Sequence, residues 1–140
     1  IRSVTKLLIS NENTSLTTFP SLISTSKMLI AGLPINLATN RNATTITSTK
    51  IKQIRMKDEL YDLGKTEIDY EGIKINIYDK ERMLIDLARN KNQIGYDLYK
   101  EIISNYRKLA NSLDTQKIEE YLRYFVNGDK IFEIIQDEVF

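Results

Sequence analysis

The chain has 140 residues, 41% of them apolar, enough to build a core in one domain, or in one domain with an irregular N-terminal arm. It has no cysteine and no histidine, which excludes a disulfide framework and a cysteine zinc site and removes the commonest general base and transition-metal ligand. The net charge of +1 conceals an asymmetry: residues 1–57 hold eight Lys or Arg against Glu12 alone, +7, and the rest of the chain sums to −6, a dipole able to steer a polyanion or an acidic partner toward one end.

Residues 1–18 pair a brief apolar run, Leu7 to Ile9, with a cluster of Asn, Thr and Ser, and read as an N-terminal arm or as a strand followed by a loop. After Pro20, Ser24 or Ser26 can cap a short helix through Met28, Leu29, Ile30 and Ala31 that Gly32 stops. Past Pro34, the spans Ile35–Thr39, Thr44–Ser48 and Ile51–Met56 are dense in β-branched residues, and Asn40, Arg41 and Asn42 supply a turn between the first two. Lys57 to Leu63 suits one helical turn ended by Gly64. Thr66–Tyr70 and Ile73–Tyr78 then form a hairpin, because Gly72 of the Glu71-Gly72 pair tolerates positive φ. In its second strand Ile73, Ile75 and Ile77 share one face and Lys74, Asn76 and Tyr78 the other, so a helix is expected to cover the isoleucines.

Asp79 stands as the cap of that helix, with Lys80, Glu81 and Arg82 in its first turn and Met83, Leu84, Leu87 and Ala88 on the buried arc. The next helix carries an apolar stripe at Tyr99, Ile102, Ile103, Tyr106, Ala110 and Leu113 and a wet face at Lys100, Ser104, Arg107 and Lys108. Asp114 caps a third, with Ile118, Tyr121, Leu122 and Phe125 facing inward and Asn127-Gly128 as its stop. Asp129 caps the last, whose apolar positions are Phe132, Ile135 and Val139. Strands followed by helices argue for an α+β fold: a small antiparallel or mixed sheet over 35–78, then a helical subdomain of about four helices over 79–140 packed on it.

The group Arg41, Lys50, Lys52, Arg55 and Lys57 is the candidate for recognition of a nucleic acid or partner, since no acid interrupts it and Lys50 and Lys52 share a strand face. An ordinary solvated sheet edge, where lysines discourage strand pairing, is the alternative. Asp69, Glu71 and Lys74 invite comparison with a metal-dependent hydrolase, but Gly72 turns the chain between the second acid and the lysine, and a solvated hairpin tip is the better reading. Asp79, Glu81 and Arg82 are explained by helix-terminus electrostatics and an Arg82–Asp86 pair one turn apart. Tyr99, Tyr106 and Tyr121 fit core packing with their hydroxyls at the rim. The five glycines stand singly, so no phosphate-cradling loop is formed and no cofactor is expected.

In Leu63, Gly64, Tyr78, Asp79, Glu81, Arg82, Leu84, Ile85 and Asp86 the chain resembles the C-terminal domain of abortive-infection AbiEi-type antitoxins. The shared pattern is Leu-Gly before a hairpin, a second strand ending in Tyr-Asp, then Glu-Arg and an apolar helix with Asp in its first turns. Residues 26–33 fall where the family has Ser-Ala-Leu-Tyr-x-His-Gly-Leu; Ser26, Gly32 and Leu33 agree, while the family's tyrosine and histidine are absent. The likeness spans about Phe19 to Phe140 and implies a non-enzymatic antitoxin domain of a bacterial type IV toxin–antitoxin system, opposing a cognate nucleotidyltransferase toxin in phage resistance. Family members also bind operator DNA as transcriptional regulators through an N-terminal winged helix-turn-helix, which residues 1–18 are too few to form; either that domain was lost or the chain is a shortened relative.

No run of 18 apolar residues and no signal-peptide pattern is present, so the expectation is a cytoplasmic monomer without membrane partners, and a fragment of a longer chain. The rival from another class is a stand-alone nucleic-acid-binding module, in which the +7 half neutralises phosphates.

Overall fold

The computed structural model describes residues 14–16, 35–47, 51–70 and 72–140. The expected helix after Pro20 lies outside them. The architecture is α+β, with strands first and helices at the C-terminal end. Contacts divide the chain into two units, Ile1–Asp79 and Lys80–Phe140.

The first unit holds β1 (Thr14–Leu16), β2 (Ile35–Asn40), β3 (Ile51–Met56), the short helix α1 (Asp58–Asp62), β4 (Lys65–Tyr70) and β5 (Ile73–Tyr78). They build a five-stranded mixed sheet in the order β3-β2-β1-β5-β4. Its central strand comes from the segment read as an arm, so the sheet reaches beyond the 35–78 span. β1 runs antiparallel to β2 and meets β5 in parallel at one register pair, Leu16 with Ile77.

The hairpin forms as its pattern requires. Tyr70 faces Ile73 across a two-residue loop, and Gly72 adopts φ +81, the left-handed region where a side chain is strained. Ile75 and Ile77 are buried and Lys74 is exposed. Tyr78, expected on the wet face, is buried as well: its hydroxyl donates to the Tyr61 carbonyl oxygen at 2.7 Å, on α1. Both faces of β5 are therefore dry at this end. Gly64, with φ +76, ends α1 as expected, and its carbonyl accepts the Asp79 N–H at 2.8 Å.

Of the strand that the β-branched residues of Thr44–Ser48 suggest, residues 44–47 are irregular, and Ser48 lies outside the described residues. The reason is the direction of β3. It runs parallel to β2, with Ile35 opposite Ile51 and Asn40 opposite Met56, so the chain must travel back along the sheet before β3 can start. The turn at Asn40 does form, with the Ala43 N–H on the Asn40 carbonyl at 3.2 Å. Beyond it, the backbone bonds to side chains of β3 in place of a ladder.

The second unit contains α2 (Lys80–Arg89), α3 (Tyr96–Lys108), α4 (Thr115–Leu122) and α5 (Gly128–Glu138), with 3-10 turns at Lys91–Gln93 and Ala110–Ser112. α2 packs against α4 and α5, and these against each other. Every residue from Glu81 to Ala88 is buried, so the helix has no wet arc, and the charged residues of its first turns lie inside.

Three helix boundaries differ from expectation. The apolar stripe of α3 outruns the helix: the Leu109 N–H bonds to both Asn105 and Tyr106 carbonyls, the chain tightens into the 3-10 turn, and Leu113 is still buried. α4 stops at Leu122 rather than at Asn127-Gly128. Tyr124 and Phe125 then donate to the carbonyls three residues back, a tightening that turns Phe125 inward. α5 starts at Gly128, because the Asn127 carbonyl already accepts the Ile131 N–H at 3.0 Å. Asp129 lies in its first turn rather than at the cap, and Ile131 joins Ile135 and Val139 in the core while Phe132 is half-buried.

Candidate functional site

The five candidate basic residues occupy different environments. Arg41 is exposed in the turn after β2, Lys52 and Arg55 are exposed on β3, and Lys57 is exposed just before α1. Lys50 lies outside the described residues. An odd separation puts Lys52 and Arg55 on opposite faces of β3.

Arg55 is engaged within the chain. Its guanidinium donates to the Arg41 carbonyl at 2.9 Å, the Ala43 carbonyl at 2.6 Å and Thr45 Oγ1 at 2.8 Å. Gln53, on the same strand face, accepts the Ile46 N–H at 2.8 Å and donates to Thr39 Oγ1 at 2.9 Å and the Thr44 carbonyl at 3.3 Å. Together they hold the returning segment to the strand it leads into. Arg41 and Arg55 are thus brought together, through a main-chain carbonyl. Lys52, Lys57 and Arg41 are exposed as well, and immediately after Lys57 the acid-free stretch ends at Asp58 and Glu59.

The hairpin carboxylates are dispersed. Asp69 faces Lys74 across the ladder, Lys74 lies 4.0 Å from Glu67 with both side chains exposed, and Glu71 is outside the described residues. Among the described residues no group of three carboxylates gathers as a metal would require.

The residues that carry the resemblance are different: they are fixed by internal bonds. Arg82 Nε donates to Asp86 Oδ2 at 3.1 Å, with side-chain exposures of 0% and 9%. The guanidinium carbons of Arg82 and Arg89 lie 5.2 and 5.1 Å from the ring centroid of Phe125, three residues past the end of α4. Asp86 Oδ1 is buried with no hydrogen-bond partner. Burial raises the Asp86 carboxyl above its ordinary range, although Arg82 and Arg89 act in the opposite direction.

Glu81 completes a helix cap from a distance. Asp114 accepts the Lys117 N–H on Oδ1 at 3.0 Å, the usual N-cap bond. In a full capping box the residue three on would accept the cap's own N–H, but here that residue is Lys117, a donor. Glu81 Oε1, on α2, accepts the Asp114 N–H at 3.1 Å instead. No spacing rule finds this tie; the available signal was an incomplete box at Asp114 beside a buried glutamate.

A second cluster joins α3 to the end of α5. Glu138 accepts from Lys91 and from the Tyr99 hydroxyl, and the Arg107 Nε–H donates to the Glu138 carbonyl at 2.6 Å. Burial and then the neighbouring carboxylate push the Tyr99 phenol above its ordinary value. Burial alone would raise Glu138, but the bonds from Lys91 and Tyr99 and the charges of Lys91 and Arg107 outweigh it, so the carboxyl lies below its ordinary value. Tyr106 is buried, and its hydroxyl donates to the Lys80 carbonyl at 2.8 Å.

Compared with protein-family models and with curated proteins, the chain gives no match to either. Among the described residues no helix is long and apolar enough to cross a membrane.

Proposed function

We propose that this chain is a non-enzymatic, cytoplasmic antitoxin domain that counteracts a nucleotidyltransferase toxin in a bacterial abortive-infection system. The observation that carries the reading is the pattern from Leu63 to Asp86, in which the residues shared with AbiEi-type antitoxins hold structural positions: Gly64 in its left-handed turn, Tyr78 on the Tyr61 carbonyl, Glu81 on the Asp114 cap, Arg82 on Asp86. Such residues are what a family keeps when it keeps a scaffold. The exposed cations Arg41, Lys52 and Lys57 support accessory DNA binding in operon autoregulation, through phosphates rather than base edges.

Co-expression with a nucleotidyltransferase toxin of the kind this family opposes tests the reading. Growth rescue by the 140-residue chain is the expected result; persistent toxicity beside soluble chain would sink it. For the DNA arm, Lys50→Glu with Lys52→Glu is expected to remove salt-sensitive retention on a DNA duplex and to leave rescue intact. Loss of rescue with unchanged retention would instead favour the stand-alone nucleic-acid module being wrong and the basic segment being a toxin contact.

A further inference from the structure

Within the second unit α2, α4 and α5 pack against one another, and α3 stands outside that trio. Its backbone comes as close only to the 3-10 turn that continues it. Yet Tyr99, Ile102, Ile103 and Tyr106 on α3 are all buried. An element with few close neighbours opens at lower free energy than the core beside it, so what fastens α3 decides how firmly its stripe stays covered.

That fastening is polar and converges on one residue. Glu138, in the last turn of α5, takes Lys91 on one carboxylate oxygen and the Tyr99 hydroxyl on the other, and its main-chain carbonyl accepts the Arg107 Nε–H at 2.6 Å. The three donors bracket the helix: Lys91 lies in the turn before it, Tyr99 one turn in and Arg107 in the last turn. The Lys91 ammonium also stands 5.5 Å from the Tyr99 ring centroid, so the two side-chain donors brace each other. A further tie, from the Tyr106 hydroxyl to the Lys80 carbonyl, reaches the start of α2.

We propose that Glu138 is a proton-operated latch: its charged carboxylate holds α3 in place, and protonation lets α3 open as a unit and uncover its stripe while α2, α4 and α5 stay packed. The charge matters because Lys91 and Tyr99 both donate to it, and hydrogen bonds to an ionised acceptor are about twice as strong as those to a neutral one. Lys91, Tyr99 and Arg107 are the groups that bear on the carboxyl, and Asp137 beside it on α5 is exposed. Since these groups hold the carboxyl below its ordinary value, the latch is fully set above the ordinary carboxylate range and is lost as pH falls through the lowered value. This inference does not rest on the antitoxin reading.

Amide hydrogen exchange of the full chain, resolved by residue with NMR, is the test. At neutral pH, Glu138→Ala should lower the protection of the Ile102, Ile103 and Tyr106 amides at least about tenfold, the scale of a lost hydrogen bond to a charged group. Leu84 and Ile85 in α2 and Ile118 in α4 should keep theirs. Tyr99→Phe should shift the same α3 amides by less, and Glu138→Gln, which keeps acceptor oxygens without the charge, should fall between the parent and Glu138→Ala. The difference between the parent and Glu138→Ala should close as pH is taken from about 5 to about 3. Amides of α3 that follow those of α2 in every chain would mean that the unit opens as one body, and would overturn the proposal. So would α3 protection indifferent to Glu138→Ala, or a difference that persists at the acid end, which would assign the effect to packing rather than charge.

Discussion

Replacing Arg82 by alanine should destabilise the chain by about 3–5 kcal/mol at neutral pH, the cost of leaving a buried charge without its partner. The size follows from the site. The Arg82 side chain is fully buried and that of Asp86 is 9% exposed, and Asp86 Oδ1 already lacks a partner, so loss of the guanidinium leaves the carboxylate with Arg89 alone nearby. The carboxyl has an escape: its proton affinity is already raised by burial. In the folded chain it binds a proton more readily than in the unfolded chain, so its contribution to stability is complete below the ordinary carboxylate value and is lost as pH rises through the raised one. The Arg82→Ala penalty should therefore shrink toward acid pH. Asp86→Ala removes the titrating group itself, so by the same linkage its penalty should run the other way, larger at acid pH and smaller as pH rises through the raised value. Urea unfolding followed by circular dichroism, at pH values of roughly 5 and 7.5, separates the two behaviours. Arg82→Met with Asp86→Leu, which removes both charges, should lie within about 1 kcal/mol of the parent or above it and should keep growth rescue. Two single variants that each cost less than about 1 kcal/mol would refute the burial of this pair, and a stable double variant that fails to rescue would refute its purely structural role.

Other substitutions probe the remaining ties. Glu81→Ala should cost about 1–2 kcal/mol by leaving the Asp114 N–H unpaired, and Glu81→Gln should recover most of it, since an amide oxygen also accepts; thermal unfolding of the three chains decides this. Gly128→Ala should destabilise by about 1–3 kcal/mol, because its Cβ would meet the Leu122 carbonyl oxygen at 2.5 Å; an unchanged midpoint would mean that the α4–α5 approach is looser. Arg55→Lys should be nearly as damaging as Arg55→Ala, at about 1–2 kcal/mol, since one ammonium cannot reproduce the fork that meets Arg41, Ala43 and Thr45. Hydrogen exchange at the Ile46 N–H, which Gln53 holds from the same strand, should quicken in both.

What was legible in the sequence were features carried by neighbours in the chain. The hairpin declared itself through alternate isoleucines and one glycine, and α2 through an acid ahead of an apolar run. The helix ends after Leu122 and before Gly128 escaped because they depend on how closely two helices approach, which no local preference encodes. Thr44 to Thr47 misled because β-branched residues favour extended backbone without saying whether a partner strand exists; Gln53 and Arg55, from a later strand, supply side-chain bonds where a ladder was expected. In the candidate site, the exposure of Lys52 and Lys57 followed from their charge, but the engagement of Arg55 did not. Glu81 and Arg82 were read as helix-terminus charges; the pairing of Arg82 with Asp86 one turn on was found, whereas the tie of Glu81 to Asp114 and the burial of both depend on the second unit assembling around α2.

The three residues of β1 join two ribbons made much later in the chain, β2 with β3 on one side and β4 with β5 on the other. Either ribbon alone is too narrow to persist in water, so the sheet exists as one object only once Thr14–Leu16 has been threaded between them. Its closing contact, Leu16 with Ile77, links the two ends of the sheet-forming unit, and such remote contacts form late and slowly. The hairpin can zip early, while the sheet waits on its shortest strand. A newly made chain would therefore pass through a stage with two unjoined edges exposed, the interval in which a protease or a strand from another molecule can intervene.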